Sequence, residues 1–448
     1  MKEKLKKNCC NKLELVTYWM IVIYILDIMF LGSGGLTKQF GISTRICFFA
    51  IAFICSIPNV LIRWKEFVRN KYVWIVCIFF IIIGINFLRG IIANHSRMIL
   101  ISDIKGFLNY LILIPMLCVF VNRERVMQFL KLFVHTATIV AIVAVVLSFF
   151  LRLPENIRTE IYNFFNGYGI CGISALNSNV VRVFFHTAGR WFFVAAMFAF
   201  GFSIIEDKRK TLWLIEMSFM MAATFISFTR SIYFGVAIGI IVLVILVILY
   251  YKTFFKDMLK NAIIMVVVTL LLIGGMSVIA GGNMFQIALQ RTLLVAGDQV
   301  DNESNEPEDV LTNDDAEEQN LAIRGSRKEI VWNNIKKNPI FGQGLGVVND
   351  ANGEHIEYFY LDIWSKIGFV GVLLFLMPYI IHVWDIRTKK DIYCKEQKIM
   401  NLVGNSGLLC LLVISYFNPC MNTAVGLAIY ALVIAMSIPW KNNQTDIR

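Results

Sequence analysis

Apolar residues gather in long runs along this chain, each about 17–22 residues, and polar residues are confined to the stretches between them. A helix of that length crosses roughly 30 Å of hydrocarbon. About twelve runs can be marked, near 14–31, 45–62, 72–88, 98–121, 132–151, 188–205, 212–228, 232–250, 262–280, 358–384, 401–418 and 422–440. Lipid offers no partner to backbone N–H and C=O groups, so each run is expected to be a helix. The pattern predicts an all-α integral membrane protein with about twelve transmembrane helices. Two connections break the run of short loops, 152–187 and 281–357. The second is a large extracytoplasmic loop before the tenth span. It divides the chain into nine helices over 1–280, the loop itself over 281–357, and three helices over 358–448.

Composition sharpens this picture. Of 448 residues 58% are hydrophobic and only 16% charged, far too few charges for a soluble surface of this size. The net charge of +11 is a matter of topology. Lys and Arg collect in "RWKEFVRNK", "NRERVMQFLK", "EDKRK", "YKTFFKDMLK" and "DIRTKKDIYCKEQK", alternate loops that lie on one side together with the basic N-terminal stretch. That places both termini in the cytoplasm. The charge therefore calls for no nucleic-acid partner, and membrane lipid headgroups are its natural counter-ions. The first run reads as a retained helix rather than a cleaved signal. The ten cysteines form no CxxC, no HExxH accompanies them, and no metal site or cofactor is expected. Cys171 is the clearest cysteine on the outer side. The bias toward Ile, Lys and Asn suggests a low-GC bacterium, hence a bacterial cytoplasmic membrane.

The long loops hold most of the candidate chemistry. Residues 298–318, "DQVDNESNEPEDVLTNDDAEE", are acidic and nearly free of apolar residues, a solvated tract. After it Ile330, Val331, Trp332 and Ile335 recur at helical spacing until Pro339. They predict an amphipathic helix, lying at the membrane surface or packed against the bundle. Arg324 and Arg327 lead it, although a cation at a helix start opposes the macrodipole, so an anion is one reason for their presence. Arg230 falls in the very short outward turn "FTRS", where its planar fork suits a phosphate. Arg182 and Arg190 flank His186 at the end of the first long loop. His355 and Glu357, beside Glu354 and ahead of Asp362, are candidate bases for a sugar hydroxyl. The intervening "GQGLG" lacks the spacing of a dinucleotide fingerprint, and its glycines suit a tight re-entry of the chain. Asp27, Asp103, Lys105 and Glu216 fall inside spans, where charge is costly. Asp103 and Lys105 are candidates to pair with each other or to line a cavity.

The order of these motifs resembles the O-antigen ligase and polysaccharide polymerase family. Arg324 stands fifteen residues before Pro339; Gly342, Gly344, Gly368 and Gly371 follow in "NPIFGQGLG" and "YLDIWSKIGFVG". "FTRSIY" and "RVFFHTAGRWFFVAAM" are similar to two further segments of that family. Counting back from Gly368, the family's histidine position holds Glu357, and His355 falls two residues early without an Asn after it. Either residue is the base on this resemblance, and the departure favours a polymerase over a ligase.

The resemblance implies glycosyl transfer at the outer face of the membrane, from an oligosaccharide on undecaprenyl diphosphate to a hydroxyl of a second lipid-linked repeat. In the ligase alternative the acceptor is a different molecule. Arg182, Arg230, Arg324 and Arg327 would hold the diphosphate, with His355 or Glu357 as the catalytic base. Implied partners are the lipid-linked oligosaccharide, membrane lipid, and a chain-length regulator or flippase of the same pathway. A transporter, such as a lipid-linked oligosaccharide flippase, is the rival reading. It would place its working charges at the bilayer midplane and would need no large loop.

Overall fold

The computed structural model describes residues 2–32, 44–293, 326–349 and 358–441. The chain opens with α1 (Lys2–Leu31), α2 (Thr44–Ile62), the short α3 (Trp64–Arg69) and α4 (Lys71–Ile92). Next come α5 (Arg97–Leu108) and α6 (Leu113–Val119), joined through a 3-10 turn at Asn109–Ile112, and then α7 (Arg123–Leu147). The first long connection folds as α8 (Glu155–Gly167) and an antiparallel hairpin of β1 (Cys171–Ala175) and β2 (Val181–Phe185), with Ile173 opposite Val183. Four more helices follow, α9 (Ala188–Ile205), α10 (Lys210–Ile226), α11 (Arg230–Tyr250) and α12 (Phe255–Ala280), and then the short α13 (Met284–Leu293). The last are α14 (326–337), α15 (Phe359–Thr388), α16 (Lys395–Phe417) and α17 (Ala424–Ala435).

This is a multi-pass membrane protein: ten of the described helical stretches are long and apolar enough to cross a bilayer. The other two expected crossings coincide with shorter helices, α10 at 17 residues and α17 at 12. At 1.5 Å per residue α17 rises only about 18 Å. Its residues from Val425 to Ala435 are all buried, so the turns at either end abut protein, where non-helical backbone is tolerated at membrane depth. The hairpin is the departure from an all-helical plan among the described residues. Helices α9, α16 and α17 form the interior, while α2, α4 and α12 turn rows of Ile, Leu and Val outward. One end of the bundle carries the hairpin, α13 and α14, and the other carries the Lys- and Arg-rich connections.

The sequence from Pro339 to Asn349 is a strap that interlocks with α15. That helix breaks at Gly368, whose φ of 74° and ψ of 177° no side-chain-bearing residue adopts without strain. In an unbroken helix Phe369 and Val370 would donate to Ser365 and Lys366. Here the strap takes both sides of that exchange. Gln343 N and Gly344 N donate to the carbonyls of Ser365 (2.8 Å) and Lys366 (2.9 Å). Phe369 N and Val370 N donate to Pro339 (3.0 Å) and Ile340 (3.3 Å). These four backbone groups freed by the break are thus satisfied by the strap, as burial in a membrane protein demands. The backbones meet so closely that a Cβ on Gly342 (φ 71°) would lie 2.5 Å from Gly368 N. The strap's far edge is held by α4, where Leu345 N donates to Asn86 O (2.9 Å) and Arg89 Nη1 to Phe341 O (3.0 Å).

Candidate functional site

The turn between α10 and α11 gathers three elements at the hairpin end. Phe228, buried and bulky, is held at φ 45°, a conformation that costs free energy and persists only where surroundings impose it. From β2, Arg182 reaches over this turn: Nε donates to Ser227 O (2.9 Å) and Nη2 to Thr229 Oγ1 (3.2 Å), with its guanidinium over the Phe184 ring. Arg230 follows at once as the first residue of α11. The structure therefore brings Arg182 and the Arg230 turn together although 48 positions separate them in the chain. The hairpin makes this possible, because alternation along β2 buries Val181, Val183 and Phe185 and leaves Arg182 on the other face.

A third cation joins them. Phe285 of α13 packs on Phe225 (ring centroids 5.5 Å apart), and Phe225 packs on Phe228 and Tyr233. That stack brings Arg291 of α13 within electrostatic reach of the Tyr233 hydroxyl, as is Arg182. Tyr233 Oη itself donates to Phe225 O. Sequence reasoning passed over Arg291, since nothing in "MFQIALQRTL" marks it; only the aromatic stack places it.

His186 closes the hairpin. Burial first, then the charges of Arg190 and Arg182, hold its ring below the usual histidine range, so it is neutral where a free histidine is half protonated. The linkage follows. Below about pH 6.5 the unfolded chain takes up a proton that the folded site refuses. The stability His186 contributes is complete above that pH and is lost as the pH falls toward the folded value. Thermal unfolding at pH 7.5 and 5.5 should therefore show a smaller acid-side loss for His186→Gln than for wild type. Cys171 on β1 is also buried, which pushes its thiol up to about 12 and leaves it protonated and unreactive.

Across the end of α16 lies the start of α15. Asn418 Nδ2 donates to Ser231 Oγ (2.7 Å), one residue beyond Arg230. Phe234 packs on Phe417, Phe417 on Tyr416, and Tyr416 on Tyr358, the residue capping α15. Tyr358 directly follows Glu357 in the chain. His355, Glu357 and Arg324 lie outside the described residues. Arg327 is carried separately from the Arg182 turn, on α14, which packs Val331 and Ile335 against Tyr358, Leu361 and Trp364. Of the amphipathic positions Val331 and Ile335 face the bundle; Trp332 is exposed and meets Trp364 edge to face.

Beneath α14 sits a buried ionic network. Lys366 Nζ donates to Asp103 Oδ1 (2.7 Å) on α5 and to Asp362 Oδ2 (2.8 Å) one turn back on α15. The remaining carboxylate oxygens are also satisfied: Gly346 N of the strap donates to Asp103 Oδ2 (2.9 Å), and Asn349 Nδ2 to Asp362 Oδ1 (2.8 Å). Of the two readings of Asp103 and Lys105 left open by the sequence, the pairing with each other is thereby excluded. Residues two apart on a helix face different ways; Lys105 is exposed and Asp103 finds its cation 263 positions away. Two more carboxylates in spans are paired, Asp27 with Arg45 (2.8 Å) and Glu216 with His135 (2.7 Å). Lys366 and Asn349 escaped notice because a Lys four residues after an Asp reads as an ordinary helix pair.

Taken together, one end of the bundle presents several half-buried arginines around a strained turn and a helix start, and beside them a helix braced on a broken membrane helix. Such an arrangement suits a polyanion at the membrane surface. No curated protein matches the chain. Residues 215–376, from within α10 to the second half of α15, match the model of the family described as O-antigen ligase.

Proposed function

We propose that this multi-pass membrane protein, whose residues 215–376 match the O-antigen ligase family model, is a ligase- or polymerase-type membrane enzyme that polymerises oligosaccharide repeats carried on undecaprenyl diphosphate. The hairpin end faces outward from a bacterial cytoplasmic membrane, and both termini face the cytoplasm. Arg182, Arg230, Arg324 and Arg327 engage the diphosphate, and Arg291 joins them. The acceptor sugar hydroxyl of a second lipid-linked repeat attacks the anomeric carbon. His355 or Glu357 takes the hydroxyl proton, the C–O bond to the diphosphate breaks, and undecaprenyl diphosphate leaves. Fixed cations at the leaving group act where charge develops, and in a water-poor setting that is the larger catalytic contribution.

The observation that carries this reading is Arg182 bonded across the Arg230 turn, with Arg291 at the same aromatic stack. A transporter gives no reason for cations to converge on one end of the bundle. The family description supports a second reading, a ligase that passes the glycan to a different acceptor.

Purified protein in bilayers, given a defined lipid-linked repeat, tests both. Longer glycans with stoichiometric release of undecaprenyl diphosphate are the expected result. Transfer only after a separate acceptor is added would make it a ligase. Movement of intact lipid-linked repeat across sealed vesicles, with no diphosphate released, would replace enzyme by transporter.

A further inference from the structure

We infer that Asn349, with Asn334, forms an amide clasp that positions Arg327 for glycosyl transfer, an inference that rests on the function proposed above. Asn349 has three partners. Its Nδ2 donates to Asp362 Oδ1 (2.8 Å) and to Ser365 Oγ (2.6 Å), both on the first half of α15. Its Oδ1 accepts from Asn334 Nδ2 of α14 (3.0 Å). Asn334 is gripped from two further sides, its Nδ2 also reaching Val348 O (3.0 Å) and its backbone carbonyl accepting from Gln343 Nε2 (2.6 Å). Asn334, Asn349 and Ser365 are buried, so the three bonds of the Asn349 amide are made out of water's reach.

Helix periodicity connects the clasp to the cation. Arg327, Val331 and Asn334 are spaced four and three residues apart, so they share one face of α14. Val331 and Asn334 are buried on that face, and Arg327 lies about 10 Å further along it. Whatever fixes the rotation and register of α14 therefore fixes Arg327. Apolar packing alone does this poorly: Val331 and Ile335 form a small cluster apart from the main core, and such contacts slide. The amide bonds are directional. Lys366 makes the far anchor rigid, since it bonds Asp362 and Asp103 together and leaves Asp362 Oδ1 aimed at Asn349. The ion network explains where the clasp is mounted, and the clasp gives the network a use beyond its own neutralisation.

Arg327 acts on the departing diphosphate, where charge develops, in this scheme, and Asn349 and Asn334 are positioning residues. Neither Asn349→Ala nor Asn334→Ala removes Lys366 or its two carboxylates, and only Asn349→Ala takes a donor from Asp362 Oδ1. Each should lower kcat about ten- to a hundredfold, the order expected for a displaced catalytic group, with KM for the lipid-linked repeat within about twofold. Amide hydrogen exchange over 326–337 should rise about tenfold, as for one or two lost hydrogen bonds, while exchange in α16 stays unchanged. The double variant should be no slower than either single one, because the two residues act as one unit. Three results would overturn the inference: additive losses in the double variant, unchanged exchange in α14, or a fall in kcat that merely follows a fall in thermal stability. A wild type with no transferase activity would overturn the proposed function and the catalytic half of this one, and exchange would still decide whether the clasp holds α14.

Discussion

Arg230→Ala should fold and insert as wild type does, yet transfer glycan about 100- to 1000-fold more slowly, the range for losing one preorganised donor at a developing anion. The two halves of that expectation are separable. Arg230 occupies the first turn of α11, where a cation opposes the helix macrodipole. A melting temperature measured beside the rate separates slow transfer from unfolding. Arg230→Lys keeps the charge and loses the planar fork, and should fall between. The measurement is the initial rate of undecaprenyl diphosphate release with detergent-free protein at saturating donor. More than a tenth of wild-type rate in the alanine variant would remove Arg230 from the leaving-group site.

Gly368→Ala should be the most damaging single-methyl change in the strap region. A Cβ there would stand 2.1 Å from Ile340 O and 2.5 Å from the Phe341 carbonyl carbon. Neither atom belongs to a side chain that can rotate aside, and φ of 74° with ψ of 177° adds its own cost of about 1–3 kcal/mol. The strap must lift off α15, which exposes the carbonyls of Ser365 and Lys366 and the amides of Phe369 and Val370 inside the bundle. Each unsatisfied group costs about 1–3 kcal/mol. Loss of folded protein after extraction, or at least a steep fall in melting temperature, is expected. Gly84→Ala on α4 is the control: nothing lies within 4 Å of its Cβ, and alanine gains about 0.5–1 kcal/mol over glycine in a helix. Equal effects from the two substitutions would refute the interlock.

These expectations show which features were legible before any coordinates. Residues 338–349 advertise a chain reversal through Pro339 and the glycines Gly342, Gly344 and Gly346, and a close re-entry was readable from them. What the strap enters was not, because the partner atoms belong to the backbone of α15. "VVRVFF" carries β-branched and aromatic alternation after the turn signal "NSN", a hairpin signature that is short beside the long apolar runs around it. The candidate site was legible in part: Arg182 and Arg230 were both marked by charge beside spans. That Arg182 straddles the Arg230 turn depends on β2 reaching the end of α10, a contact with no local trace.

By itself the sequence determined the membrane as solvent, the helical class, and the sites where charge is concentrated. Each follows from composition and period along the chain, and hydrocarbon leaves the backbone no alternative to the helix. Tertiary structure alone decided the pairings: Lys366 with Asp103, Asn349 with Asn334, Arg182 with the turn before Arg230, and a helix broken at Gly368 whose lost hydrogen bonds another segment replaces. The reason is physical. Burial in lipid follows from local chain chemistry, while a buried charge or an orphaned amide is satisfied by whichever group the fold delivers, however distant in the chain.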